Sequence, residues 1–439
     1  MTSDLILLSA LLVWIVVGTS ALRWPPFWVL FIATVGGILA FQIPMDTSLP
    51  LIGNGFWGTV KKIGVLILLG SWIGSTLEVS GATLTLAKAL LKRLARWPMH
   101  FVVGLIGYWV AIPVFCDAAF VILNALNERL SEQSQTPKLG LTIALSTGLF
   151  ATHVLVPPTP GPLAAAANFH LDALFLLFLW GGLLAFILVM AGAAFAYWVG
   201  GKSSQKFAFT APMDAQSQEN NSPSLAMAIA PIGIPILLMG MGNLPLPEGG
   251  LKNSLQLIAA PNWALFIGGL GGLFLIRNTN RTDKISIAKK SIGQAFPIVA
   301  ITAMGGALGK VLQQLPLADY LETIALSDSM GILIPFLLAA FLKTAQGSST
   351  VAILTTSAIV YPLLASLGLD SDMGKVWGIL AIGTGAMTVS HANDSYFWIV
   401  SQVGGIDTKT ALRTHTTATL LQGLLGFLLL WATVQWIGK

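Results

Sequence analysis

Apolar residues run through this chain in long blocks separated by short polar stretches, and the length of each block decides what it can be. A helix rises about 1.5 Å per residue, so roughly 20 apolar residues cross a hydrocarbon core of about 30 Å. Blocks of that kind predict membrane spans at Leu5–Leu22, Phe27–Ile43, Ile63–Val79, Leu139–Pro157, Ala173–Val199, Leu225–Met241, Leu257–Ile276, Ile292–Leu312, Val376–Ser390 and Thr416–Ile437. The first block has no basic residue before it and no small-residue cleavage pattern after it, so it reads as a span rather than a signal peptide.

Two apolar regions depart from the pattern. His100–Leu126 is cut by Pro113 and Asp117, and Met330–Leu367 is cut by the polar run Lys343-Thr-Ala-Gln-Gly-Ser-Ser-Thr350. Each predicts a re-entrant hairpin of two half-spans meeting at a polar tip, because non-helical backbone at membrane depth persists only where protein or a water-filled cavity satisfies it. A long helix follows each hairpin and is itself interrupted, at His153-Val-Leu-Val-Pro-Pro-Thr-Pro-Gly-Pro162 and at Ser390-His-Ala-Asn-Asp-Ser395. Pro157, Pro158, Pro160 and Pro162 cannot share one regular helix, since each removes an amide donor and crowds the preceding turn.

Basic loop residues orient the spans. Lys88, Lys92, Arg93, Arg96, Arg129, Lys138, Lys202, Lys206, Arg277, Arg281, Lys284, Lys289, Lys290, Lys409 and Arg413 fall on one side, which is therefore cytoplasmic. Asp46, Asp172, Glu248, Asp319, Glu322, Asp328, Asp370 and Asp372 fall on the other, with Lys61, Lys62, Lys252 and Lys375 among them. Both termini are then expected outside. The first hairpin, flanked by Arg96 and Arg129, opens from the cytoplasm, and the second, flanked by Asp328 and Asp370, from the periplasm. The expected fold is an all-α polytopic membrane protein of two inverted-topology repeats, each with a re-entrant hairpin and a broken helix. The repeats would occupy 1–200, with its hairpin near 100–126, and 225–439, with its hairpin near 330–367, joined by a cytoplasmic linker at 201–224.

Composition places this plan in a bilayer. Of 439 residues 55% are hydrophobic and 9% charged, against about 25% charged in soluble domains, so the expected home is a bacterial inner membrane. The net charge of +5 sits beside the spans and forms no nucleic-acid face. One cysteine, Cys116, excludes an internal disulfide and a Cys-based zinc site, and no metal or other cofactor is expected. The absence of H-E-x-x-H, G-x-S-x-G and a phosphate-binding G-x-x-x-x-G-K-[ST] leaves neither a zinc protease, a serine hydrolase nor an ATP-driven pump, so an ion gradient or the substrate's own gradient would supply the energy.

The chemistry is expected at the breaks. Gln346, Gly347, Ser348, Ser349 and Thr350 offer an amide, hydroxyls and free N–H groups at a helix start, which suits a carboxylate, and Lys343 adds a cation. A lone intramembrane charge is costly and functional unless it snorkels to the interface. The opened segments add Thr159, Gly161, Asn393, Asp394 and Ser395 as binding candidates. Asp117, Asp394, His153 and His391 are the candidates for carrying a proton, although a lone histidine is more often a satisfied hydrogen-bonding group. Glu78 and Glu128 lie near helix ends and read as interfacial. An intramembrane hydrolase using His153 or His391 with Asp394, or a non-transporting receptor, is the competing reading, but neither gives two opposed hairpins a purpose.

Four blocks together resemble the gluconate permease family of the ion transporter superfamily, across most of the chain. They are Gly58-Thr-Val-Lys-Lys-Ile-Gly to Leu77-Glu-Val-Ser-Gly-Ala82, Ile112-Pro-Val-Phe-Cys-Asp-Ala-Ala-Phe120, Pro157-Pro-Thr-Pro-Gly-Pro162, and Lys343–Ala352 with Ser390-His-Ala-Asn-Asp-Ser-Tyr-Phe-Trp398. The resemblance implies proton-coupled uptake of gluconate or related hydroxy acids such as glycerate, with D-serine as a zwitterionic variant, by a homodimer. Sodium is the alternative coupling ion. The chain departs from the family pattern at Thr159, where histidine is usual, at Lys343, where arginine is usual, and at Cys116, where phenylalanine is usual. Thr159 cannot titrate, and Lys343 meets a carboxylate as a point charge without a bidentate fork.

Overall fold

The computed structural model describes residues 24–94, 96–200, 223–242, 249–314 and 331–437, with 7, 10, 11, 13–15 and 17–22. Most of the expected first span, linker positions 201–222 with Lys202 and Lys206, and Glu248, Asp319, Glu322, Asp328 and Met330 lie outside the described residues.

The described elements are helical. The first part of the chain forms α1 (Pro26–Ala40), α2 (Met45–Val79), α3 (Ala82–Arg93), α4 (Met99–Ala111), α5 (Cys116–Ser134), α6 (Lys138–Leu155), α7 (Pro160–Asn168) and α8 (Leu174–Gly200). The second forms α9 (Leu225–Met241), α10 (Gly250–Ala259), α11 (Pro261–Leu275), α12 (Arg281–Leu312), α13 (Leu333–Gln346), α14 (Ser349–Val360), α15 (Asp372–Met387), α16 (Ser395–Gly404) and α17 (Thr408–Ile437). Among the described residues five helical stretches are long and apolar enough to cross a membrane: α2, α6 with α7, α8, α12 and α17. The bent pair α10–α11 makes a sixth.

Two groups of helices pack together. α1, α2, α3, α9, α11 and α12 form one, with α2 against α12 as its main seam, while α4–α8 and α13–α17 form the other around the almost wholly buried α6 and α7. Glycine makes the seams close. A Cβ on Gly55 would lie 2.7 Å from Ala307 Cα across the α2–α12 seam, and one on Gly107 of α4 would lie 2.8 Å from the Leu149 amide nitrogen of α6. In lipid, where burial of apolar surface gives no advantage between helices, such backbone approach supplies the packing energy.

Four expected spans differ in extent, and one of them, Ile292–Leu312, is the end of a helix that starts eleven residues earlier at Arg281, so that Lys284, Lys289 and Lys290 lie on it rather than in a loop. Ile63–Val79 is the end of a much longer helix, so Lys61 and Lys62 stand on its flank rather than in a loop, and Lys62 Nζ reaches Asp172 at 3.0 Å. Leu257–Ile276 is two helices bent by 64° at Ala260, whose ψ of 135° is the extended conformation that Pro261 imposes on the residue before it. The final helix begins at Thr408, eight residues before Thr416, which brings Lys409, Arg413 and His415 into its first turns. The expected interfacial acids do sit at helix ends, Glu78 paired with Lys290 at 2.7 Å and Glu128 with Lys138 at 2.6 Å.

Candidate functional site

All four expected breaks are present, between α4 and α5, α6 and α7, α13 and α14, and α15 and α16. The first pair lies side by side against α2. There Gly70 faces the Pro158 carbonyl, 3.1 Å from where its Cβ would be, and Gly74, one turn on, faces the Pro113 carbonyl. The second pair also abuts: Gly347, with φ of +87°, lets the α13–α14 turn press on the Asn393 backbone, and a Cβ there would strike the Asn393 carbonyl.

Lys343 is fully buried on the last turn of α13. Its Nζ lies 2.5 Å from Asp394 Oδ2, also donates to the Gly347 carbonyl, and sits 5.6 Å from the centre of the Phe150 ring. The ammonium expected to wait for a substrate carboxylate is therefore held by a carboxylate of the chain itself. Asp394 caps α16, its Oδ1 accepting from the Tyr396 amide at 3.0 Å while Oδ2 accepts from Ser390 Oγ at 2.5 Å.

From Ser390 the network continues to a residue the sequence reading passed over. His415 Nε2 lies 3.1 Å from Ser390 Oγ, and its Nδ1 lies 3.2 Å from Ser146 Oγ. Because the Ser390 hydroxyl gives its proton to Asp394, it accepts from Nε2–H, which leaves Nδ1 an acceptor beside Ser146 Oγ, whose single proton also faces the Ile143 carbonyl at 3.0 Å. A directed chain thus runs His415, Ser390, Asp394, with Ser146 beside its start, joining α6, α17 and the opened segment. Tyr396 Oη donates to the Ser146 carbonyl at 3.0 Å, and Thr416 and Thr419 of α17 staple the Ser390 backbone through bonds of 2.5 and 3.1 Å. These bonds satisfy polar backbone that lipid could not.

The remaining expected residues divide into two sets. Asp117 and His153 lie within Coulombic reach of Asp394, and Asp117 also of Lys343. The Cys116 thiol points at Asp117 Oδ1, 3.7 Å away. His153 lines a narrow cleft with Pro113–Phe115 and Pro158–Pro160, and its Nδ1 has no partner. At the second tip the Gln346 amide is enclosed and unpartnered, Ser348 caps α14 by accepting from Val351 N at 3.3 Å, and Ser349 and Thr350 open that helix. Thr159 spends its hydroxyl on the Val156 carbonyl, and Gly161 lies under Ile353. His391 stands apart from the buried cluster: its Nε2 and the exposed Asn393 Nδ2 both donate to the Thr344 carbonyl, at 3.1 and 2.8 Å, and Ser395 is exposed. Among the described residues no three His, Cys, Asp or Glu side chains gather as metal ligands.

Four helices, α5, α7, α14 and α16, therefore begin at the breaks, and each helix start carries partial positive charge. A multi-pass bundle whose helices break in pairs around a buried ion pair defines a membrane permease rather than an enzyme. Which permease follows from comparison. The model of the GntP family permeases matches residues 3–437, and the chain belongs to that family. An uncharacterized permease of Haemophilus influenzae is 32% identical over 399 residues, covering 86% of this chain and 81% of its own. The gluconate permease of Pseudomonas aeruginosa is 27% identical over 430 residues, 93% of each chain. The D-serine transporter DsdX of Escherichia coli K12 is 29% identical over 413 residues, 91% of each. The solved structure of the Alcanivorax borkumensis YdaH transporter shares the fold, with a TM-score of 0.63 at 16% identity over 90% of each chain.

Proposed function

We propose that this permease takes up a small organic anion, gluconate or a related hydroxy or sugar acid such as glycerate, by proton symport across a bacterial inner membrane. The observation that carries the reading is the Lys343–Asp394 pair, enclosed between helix starts. A substrate carboxylate competes with Asp394 for the buried ammonium of Lys343. It wins when Asp394 takes a proton, because a neutral carboxyl no longer holds Lys343, and the His415–Ser390 chain leads to that carboxyl. One anion then enters with one proton, and no unpaired charge is left in the apolar interior. Gluconate and D-serine, the named cargoes of two relatives, share a carboxylate and a hydroxyl. Gln346, Ser348, Ser349 and Thr350 are the proposed partners of the carboxylate, with Asn393, Ser395, Thr159 and Gly161 bordering the path.

The proposed architecture is two inverted repeats, 1–200 and 225–439, working as a homodimer with both termini periplasmic. Two cross-half bonds support the repeat plan: Asn124 Nδ2 of α5 donates to the Val403 carbonyl of α16 at 2.8 Å, and Asn168 Nδ2 of α7 donates to Ser357 Oγ of α14 at 2.8 Å. In each, the outgoing arm of one half's hairpin packs on the broken helix of the other. Uptake of labelled gluconate and glycerate into proteoliposomes tests the coupling. An inward proton gradient should drive accumulation of at least one acid, and replacing sodium by choline at fixed pH should change nothing. Accumulation that follows sodium and ignores the proton gradient would replace the symport reading with its sodium counterpart.

A further inference from the structure

The end of the bundle that carries the α7–α8 turn holds a second cleft, separate from the central ion pair. Its walls are the glycine-rich faces of α2 and α12, and it is lined by Asn54, Thr59, Asn168, His170, Lys310 and Tyr361. The floor is Asn168, 5% exposed. Its Nδ2 donates to the Leu354 carbonyl at 3.3 Å and to Ser357 Oγ, and since a carbonyl can only accept, this fixes the amide orientation. The Asn168 Oδ1 is left buried without a partner, which is costly unless a donor fills the position.

The mouth has the opposite demand. Lys62 of α2, Lys310 of α12 and Lys375 of α15 all act on His170 by charge, and of the described acids Asp172 alone opposes them there. Asp172 is 89% exposed and pairs with Lys62. Lys375 donates to the His170 carbonyl at 3.4 Å and Lys310 to the amide oxygen of Gln313 at 3.1 Å, neutral acceptors rather than carboxylates. A cationic rim over a floor that asks for a hydroxyl fits one kind of small molecule.

We propose that this cleft is an outer binding site for a hydroxy-carboxylate, its carboxylate among the lysines at the rim with Lys310 nearest the cleft, and its hydroxyl donating to Asn168 Oδ1. The chemical class rests on the transport reading above. Asn168 grips α14 at Leu354 and Ser357, and α14 begins at the central site with Ser349, so the outer contact lies about 12 Å along the helix from that start at 1.5 Å per residue. The outer cleft gathers the anion at the mouth the central site is fed from, and electrostatic gathering of this kind is screened by salt.

Two measurements decide it. Lys310→Gln should raise the KM for D-gluconate uptake by roughly three- to tenfold, more than it lowers kcat, and should flatten the dependence of uptake on ionic strength; Lys310→Arg should resemble the parent. Asp172→Asn, which frees Lys62, should lower KM, an opposite sign that a folding defect cannot produce. Binding is read without transport in a Lys343→Ala/Asp394→Ala protein, where neither central charge is left alone. D-gluconate should still raise its thermal midpoint, and adding Lys310→Gln should remove that rise. No gluconate stabilisation of the double variant, or a KM and salt dependence untouched by Lys310→Gln, overturns the outer site. Stabilisation intact with no uptake by the parent overturns the transport reading alone.

Discussion

Lys343, just before the α13–α14 break, and Asp394, in the α15–α16 break, stand 51 residues apart in the chain and meet at 2.5 Å with almost no exposed surface between them. Neither charge has water to fall back on. Removing one leaves the other stranded, whereas removing both leaves a small cavity.

Lys343→Ala is therefore expected to lower stability by about 3–5 kcal/mol and to abolish uptake. Lys343→Ala/Asp394→Ala should regain most of the lost thermal midpoint in detergent while remaining inactive. Lys343→Arg should keep part of the uptake, since it preserves the charge but not its shape. If Lys343→Ala transports normally, the ion pair is only a structural tie.

Asp394→Asn separates binding from coupling. The amide keeps a Tyr396 and a Ser390 contact but cannot exchange a proton, so Lys343 stays free. Exchange of labelled for unlabelled substrate across the membrane should persist, and accumulation driven by a pH gradient should vanish. Retained gradient-driven accumulation would move the proton to Asp117 or His153.

His415→Phe takes the Nε2–H donor away from Ser390 Oγ, while Ser390 still donates to Asp394 and Ser146 to the Ile143 carbonyl. Gradient-driven uptake should slow by roughly tenfold, a barrier change of about 1.4 kcal/mol. His415→Gln, which can still donate and accept, should recover much of that rate. A uniform loss of both exchange and accumulation in His415→Phe would mark a packing role instead.

Gly347→Ala tests the turn between α13 and α14. Its φ of +87° is strained for any residue with a side chain, and the added carbon meets the Asn393 carbonyl. A loss of about 1–3 kcal/mol from backbone strain alone is expected, with uptake abolished. A wild-type melting profile would show that the turn relaxes.

The breaks were legible in the sequence because proline, glycine and hydroxyl-rich runs cannot hide inside an apolar helix. The ends of the spans were less so. Lys61 and Lys62 look like a loop, yet the helix runs past them because the ammonium of Lys62 can reach Asp172 from its flank. The bend at Ala260 was announced only by Pro261. His415 was missed because it sits in a polar stretch at a helix approach. The signal was there in spacing: His415, Thr419 and Gln422 stand at i, i+4 and i+7 on one face, and all three are buried. Asn168 gave no such sign, being one amide after a run of alanines whose neighbours come from α12 and α14.

The four helix starts at the breaks also bear on how this family can change. Their attraction for an anion is written in peptide groups, which no point mutation removes. Side chains at the rim are then free to drift: threonine at position 159 or lysine at 343 alters the shape and reach of what is held without reversing the sign of charge the centre prefers. A lineage built this way can trade one acid for another and remain a carrier of acids throughout.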